Sequence, residues 1–205
     1  PKLSAEGHAG TIGLHYFGNK HIIIVSGRKH YYESGDMDET TFIVRALVYW
    51  GIRNIIMTSA VGSMLEEVVP GDFVLPHGFV NKMGSNPLIG PNYEELGQRF
   101  FGVTNIYDPK LRSLAMQVDL PNNLRVHPSG TYVAVIGPCF ESREEILEFS
   151  GIGTVVGMSI VPDTLALAHM RSNPTYSGIK LLPICLVTNM AEGMSKAEIT
   201  HEGNT

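Results

Sequence analysis

Glu141 stands beside Phe140 in Gly-Pro-Cys-Phe-Glu-Ser (137–142), and Ser159 closes Gly-Met-Ser (157–159). Each group sits just ahead of a helical run. A carboxylate can accept a hydrogen bond from the N–H of a polar ring, and an aromatic side chain can pack against that ring. A hydroxyl at a helix start, with free backbone N–H groups around it, suits an anion. Each residue also has a plain explanation. Glu141 complements a helix dipole, Ser159 is an N-cap worth about 1 kcal/mol, and Met158 fills core. Locally, both kinds of explanation stand.

Other stretches carry similar chemistry. Gly-Arg-Lys-His-Tyr-Tyr-Glu (27–33) follows an apolar run at 21–25. Taken as extended chain, it puts Arg28, His30 and Tyr32 on one face. Arg and His offer donors to a phosphate, Arg through two bonds at once; a solvated strand end is the alternative. Thr58 to Ser63 is a run of small residues that lets backbone approach a ligand, or an ordinary turn after a strand. Thr188-Asn189 ends the last apolar run. A buried Asn offers both donor and acceptor to an amide-like edge, or serves as a turn residue. His201, taken alone, is a surface histidine.

The elements that must hold these groups are legible from pattern. Short Ile- and Val-rich runs at 21–25, 54–57, 73–75, 132–136, 154–156 and 181–187 predict strands buried on both faces. Pro183 inside the last run predicts a bulge or an edge position. A helix is expected ahead of Gly51, with Phe42, Ile43, Ala46, Leu47 and Trp50 on its apolar face and Asp36 with Glu39 as a capping box. Further helices are expected at 108–118, at 143–150 behind the Ser142/Glu145 box, and at 162–171 from Pro162. Strands alternating with helices predict a single α/β domain with a central mixed or mainly parallel sheet flanked by helices. Residues 81–107, rich in Gly, Asn and Pro, form a long connection of the kind that is functional or covers a neighbour.

Bulk properties narrow the function. The 205 residues suffice for one core, and a net charge of −5 argues against a nucleic-acid partner. No run is long and apolar enough to span a membrane, and the polar start does not read as a signal peptide. Two cysteines give no disulfide framework and fit a reducing, cytoplasmic setting. The histidines are scattered, without metal-ligand spacing.

In order and spacing, the motifs together resemble the trimeric purine nucleoside phosphorylases across essentially the whole chain. They are Gly-His-Ala-Gly (7–10), the 27–33 stretch, Asn-Pro-Leu-Ile-Gly-Pro-Asn (86–92), Gly-Thr-Tyr-Val (130–133), the two Gly-led turns above, Thr-Asn (188–189) and His201. The resemblance implies a nucleoside phosphorylase fold and a pentosyltransferase, a glycosyltransferase of purine salvage. It would use inorganic phosphate as co-substrate, with no cofactor or metal. Its products would be free base and ribose 1-phosphate, and its assembly a homotrimer. By the same resemblance His8, Arg28, His30, Ala60 and Ser159 contact phosphate. Tyr32 and Met158 hold the ribose, and His201 meets its 5′-hydroxyl. Glu141 and Asn189 bind the purine with Phe140 packed on it. His30, Glu141 and Asn189 carry the chemistry, and Phe100 reaches a neighbouring subunit's ribose site. Asn189, where relatives preferring 6-aminopurines have Asp, implies 6-oxopurine nucleosides: inosine, guanosine and their deoxy forms.

The resemblance also implies a strand and phosphate-contacting Gly-Ser loop before Pro1 and a helix after His201, so the chain is expected to be partial. Ser59 and Val61 depart from the family's usual Asn and Ala. The alternatives are a methylthioadenosine or adenosine phosphorylase, which Asn189 argues against, and a catalytically silent nucleoside-binding homologue.

Overall fold

In the computed structural model, residues 9–121 and 124–194 are described. The first two strands, β1 (Thr11–Phe17) and β2 (Lys20–Ser26), pair antiparallel as a separate hairpin. The 21–25 run is therefore a strand, but not one buried on both faces: Ile22, Ile23 and Ile24 remain 36–46% exposed. It pairs with β1 and with no strand of the main sheet among the described residues.

The main sheet contains β3 (Asn54–Ser63), β4 (Phe73–Val74), β5 (Gly78–Asn81), β6 (Val126–His127), β7 (Thr131–Ala134), β8 (Val155–Gly157) and β9 (Lys180–Met190). Their spatial order is β5-β7-β8-β3-β9-β4-β6. Parallel pairs dominate, but β3/β8 and β4/β9 run antiparallel, so the sheet is mixed. The 54–57 run extends further than its apolar pattern. Thr58 to Ser63 continue the strand, paired with β9 as far as Met190, rather than turning away.

Pro183 lies in a strand paired on both sides, opposite Met57, so the edge expectation fails. Strand alternation explains how the ladder tolerates it. Residues of the same parity face away from β3: Val187 N–H donates to Asp72 O, and Leu181 O accepts from Asp108 N–H. The absent N–H of Pro183 thus costs no β3/β9 bond. The irregularity falls instead at Thr188, skipped between the pairs Val61↔Val187 and Gly62↔Asn189.

Helix α1 (Met37–Tyr49) is capped by the Asp36 carboxylate, which accepts from Asp38 and Glu39 N–H. Glu39 does not close a capping box; it pairs with Lys29 at 2.9 Å. The inward face is Thr40, Thr41, Val44 and Val48, while Phe42 and Trp50 are 63% and 73% exposed. The expected apolar stripe was thus rotated: two threonines satisfy their hydroxyls on the preceding turn and turn inward.

Helix α2 (Pro109–Ala115) starts from Asp108, and α3 (Arg143–Phe149) from the closed Ser142/Glu145 box, both where expected. Helix α4 (Ile160–Arg171) begins two residues before Pro162. Its first N–H groups have no intrahelical partner, so proline in that turn loses no bond. Every residue from Ile160 to Met170 is buried, and α4 packs against α1 and β3 at the centre of the core.

Candidate active site

Three segments meet around the start of α4. The first is the connection from β2 to α1. It is not extended: Tyr31–Glu33 forms a 3-10 turn, and this turn, not strand alternation, stacks Tyr32 on His30 with ring centroids 5.0 Å apart. His30 is held from both sides. Its Nε2 lies 3.0 Å from Ser159 Oγ. Its Nδ1 faces Glu33 Oε1 at 3.4 Å, and its backbone N–H donates to the same oxygen at 2.6 Å. Arg28 donates from Nη1 to Thr58 O at 2.8 Å and pairs through Nε with Asp163 Oδ2 at 3.4 Å.

Ser159 occupies the N-cap position of α4, yet its hydroxyl makes no capping bond. It turns to His30 instead, while its backbone N–H donates to Tyr132 Oη at 3.1 Å. Tyr132 is fully buried, and burial pushes its phenol up to about 12, so it stays neutral. Ser59 Oγ lies 3.4 Å from the same phenol. Ala60 follows on β3, opposite Leu186. Guanidinium, imidazole and hydroxyl so arranged suit an oxyanion.

The second group lies along the ends of β7, β8 and β9. A Cβ on Gly137 would overlap Met158 Sδ, so glycine lets the 137–142 turn lie directly on Met158. Phe140 keeps 39% exposure and Glu141 only 8%. Burial pushes the Glu141 carboxyl above its ordinary range, opposed by its own backbone N–H and reinforced by Glu145. Asn189 accepts from Thr188 Oγ1 at 2.9 Å and donates one amide N–H to Met190 O at 3.0 Å. Gly62, its register partner, leaves room for that amide. The two segments approach where Gly193 packs against the Arg143 side chain, but Glu141 and Asn189 share no hydrogen bond.

The structure thus brings together Arg28, His30, Tyr32 and Ser159, with Ala60 nearby on β3, and separately Met158 with the turn bearing Phe140 and Glu141. Phe100 stands apart at 88% exposure, on the long connection. That connection is pinned to the end of α4 through Gln98 N–H to Ser172 Oγ and Asn173 to Glu95 O. His8 and His201 lie outside the described residues.

Sequence reasoning missed Glu33, Tyr132 and Asp163. Glu33 was visible as an acid three residues after His30. Tyr132 was a hydroxyl in an otherwise apolar strand. Asp163 was a first-turn acid indistinguishable from a dipole partner. Among the described residues, no cluster of His, Cys, Asp and Glu could hold a metal ion.

Comparison with known proteins agrees with this architecture. The phosphorylase superfamily profile matches residues 2–205. Purine nucleoside phosphorylase 1 of Geobacillus stearothermophilus is 37% identical over 98% of this chain and 71% of its own. The Bacillus subtilis protein of that name is 34% identical over 98% and 72%. The chain thus spans about seven tenths of the length of these relatives. Isoform 2 of purine nucleoside phosphorylase from Schistosoma mansoni, solved with cytosine and ribose-1-phosphate, superposes with a TM-score of 0.87. It is 33% identical, over 100% of this chain and 72% of that one. The Schistosoma mansoni enzyme solved with inosine gives 0.85 at 30% identity, over 99% and 72%. With its sheet, its polar cluster at the start of α4 and this similarity along nearly all its length, the chain belongs to the phosphorylase superfamily and, within it, to the purine nucleoside phosphorylases.

Proposed function

We propose that the protein cleaves 6-oxopurine nucleosides with inorganic phosphate, giving the free base and a pentose 1-phosphate, in purine salvage. The observation that carries this is the convergence at α4. The Ser159 hydroxyl is withheld from the helix cap and held 3.0 Å from His30, beside an Arg28 that is fixed by two contacts. A helix start with such donors is built for an oxyanion. Relatives solved with inosine, guanosine and ribose-1-phosphate supply the substrate class.

In this reading His8, Arg28, His30, Ala60 and Ser159 hold phosphate; Tyr32, Met158 and His201 hold the sugar; Phe140, Glu141 and Asn189 hold the base. The C–N bond breaks with its electron pair leaving on the purine, and a phosphate oxygen closes on the anomeric carbon. The proton of the phosphate ends on the base. Positive charge developing on the sugar is met by the phosphate that Arg28, His30 and Ser159 position. Negative charge developing on the purine is met by an Asn189 N–H. One amide N–H is spent on Met190 O, and an amide nitrogen has two. Glu141 accepts from a ring N–H and orients the base. Preorganised donors of this kind contribute about 3 kcal/mol each to barrier lowering.

Residues 1–205 act in this reading as one phosphorylase domain, needing neither metal nor organic cofactor, in a homotrimer completed by Phe100. The cysteines Cys139 and Cys185 are unpaired, which fits the cytoplasm. The test is release of base from inosine, guanosine and adenosine, with and without phosphate. Phosphate-dependent release from the first two supports the proposal. Equal release without phosphate, or preference for adenosine, rejects it.

A further inference from the structure

We infer that Asp163 is the positioning residue of the phosphate subsite, acting through Arg28; this rests on the reading just given. Asp163 lies in the first turn of α4 and is 2% exposed. Burying a carboxylate carries a desolvation cost that an apolar side chain would not. The α4 dipole offsets only part of this. The cation paired with it among the described residues is Arg28, and Asp163 Oδ1 has no hydrogen-bond partner there. The carboxylate is therefore poorly explained as a structural group and well placed as an anchor.

The anchoring geometry is specific. Asp163 Oδ2 on α4 faces Arg28 Nε across an ion pair of 3.4 Å, and Thr58 O on β3 accepts from its Nη1 at 2.8 Å. Contacts from two rigid elements restrain the guanidinium plane against the rotamer freedom of a long side chain. Ser159 and Asp163 are four residues apart, one helical turn. A single turn thus sets both the hydroxyl beside His30 and the guanidinium of the subsite. Burial pushes the Asp163 carboxyl up to about 6, with Arg28 opposing, which leaves it ionised at neutral pH.

The experiment measures phosphate affinity by titration calorimetry, and phosphate and nucleoside KM in turnover. The variants of the full chain are Asp163→Ala, Asp163→Asn, Arg28→Ala and the Ala/Ala double. Asp163→Ala should weaken phosphate about 10- to 100-fold, as loss of an orienting partner does elsewhere, with nucleoside KM within about twofold. Asp163→Asn keeps an oxygen near Nε but loses the charge, and should fall between the parent and Asp163→Ala in phosphate affinity. In the Arg28→Ala background, Asp163→Ala should add less than about twofold, the signature of a shared pathway. The inference is overturned by unchanged phosphate binding in Asp163→Ala, by equal losses for phosphate and nucleoside, or by a penalty that persists without Arg28. If Asp163→Ala does not fold, Asp163→Ser, polar but too short to reach Nε, takes its place with the same expectations. A parent that binds phosphate without cleaving nucleosides rejects the phosphorylase reading, while calorimetry still decides Asp163. A parent that binds no phosphate overturns both.

Discussion

At the scale of single residues, base selection in the proposed reaction turns on how the Asn189 amide is held. Thr188 donates to Oδ1, which points Nδ2 at Met190 O and leaves one N–H for the substrate. An Asp here sets an oxygen against that carbonyl unless it is protonated, and offers a different pattern to the base. Asn189→Asp is expected to shift the inosine-to-adenosine ratio of kcat/KM toward adenosine by about tenfold or more. An unchanged ratio in purified parent and variant rejects the assignment. Asp163 gives a second expectation. An acid whose folded pKa, about 6, exceeds its ordinary 3.8 binds more protons folded than unfolded. Its contribution is therefore fully present below the unfolded value and is lost as pH rises through about 6. Relative to the parent, Asp163→Asn should gain up to about 3 kcal/mol between about pH 4 and about pH 7.5, read from paired melts. A stability gap that ignores pH contradicts it. Residue types and order singled out Arg28, His30, Glu141 and Ser159, and the fold brings Arg28, His30 and Ser159 together. The supporting carboxylates were not singled out: Asp163 meets Arg28 only when distant segments pack, and Glu33 meets His30 through a 3-10 turn where extended chain was expected.

At the scale of elements, the start of α4 is where local and global demands part. Ser142 caps α3 in a closed box, and Ser159 stands in the same place on α4 without a capping bond. Ser142→Ala should cost about 1 kcal/mol, while Ser159→Ala should cost only a few tenths and raise phosphate KM about tenfold. If Ser159→Ala destabilises as Ser142→Ala does and leaves phosphate KM alone, the hydroxyl is a cap after all. Helix starts were readable because their signals are local: Asp36 and Ser142 cap as their sequences suggest, and α2 begins one residue after its expected start. The buried face of α1 was not, because Thr40 and Thr41 face inward at no polar cost once bonded to the preceding turn. Nor was the central place of Pro183, since strand alternation turns its missing donor away from β3.

At the scale of the whole molecule, the long connection from β5 to α2 is fastened to α4 and leaves Phe100 almost wholly in solvent. Burying such a ring against a partner yields about 1.5–3 kcal/mol, so an assembly has reason to use it. If Phe100 completes the site of a neighbour in the proposed homotrimer, Phe100→Ala is expected to raise nucleoside KM about tenfold without changing the oligomeric mass by light scattering. Mixed trimers of Phe100→Ala with Asn189→Ala subunits should regain activity, because some sites then hold both intact residues. Activity equal to the simple average of the two contradicts the shared site. Phosphorus NMR of the protein with inosine and phosphate tests whether the groups around α4 serve phosphate as a reactant. A sugar 1-phosphate resonance is expected to grow in step with hypoxanthine as inorganic phosphate falls. Hypoxanthine released with free ribose and undiminished phosphate would contradict it.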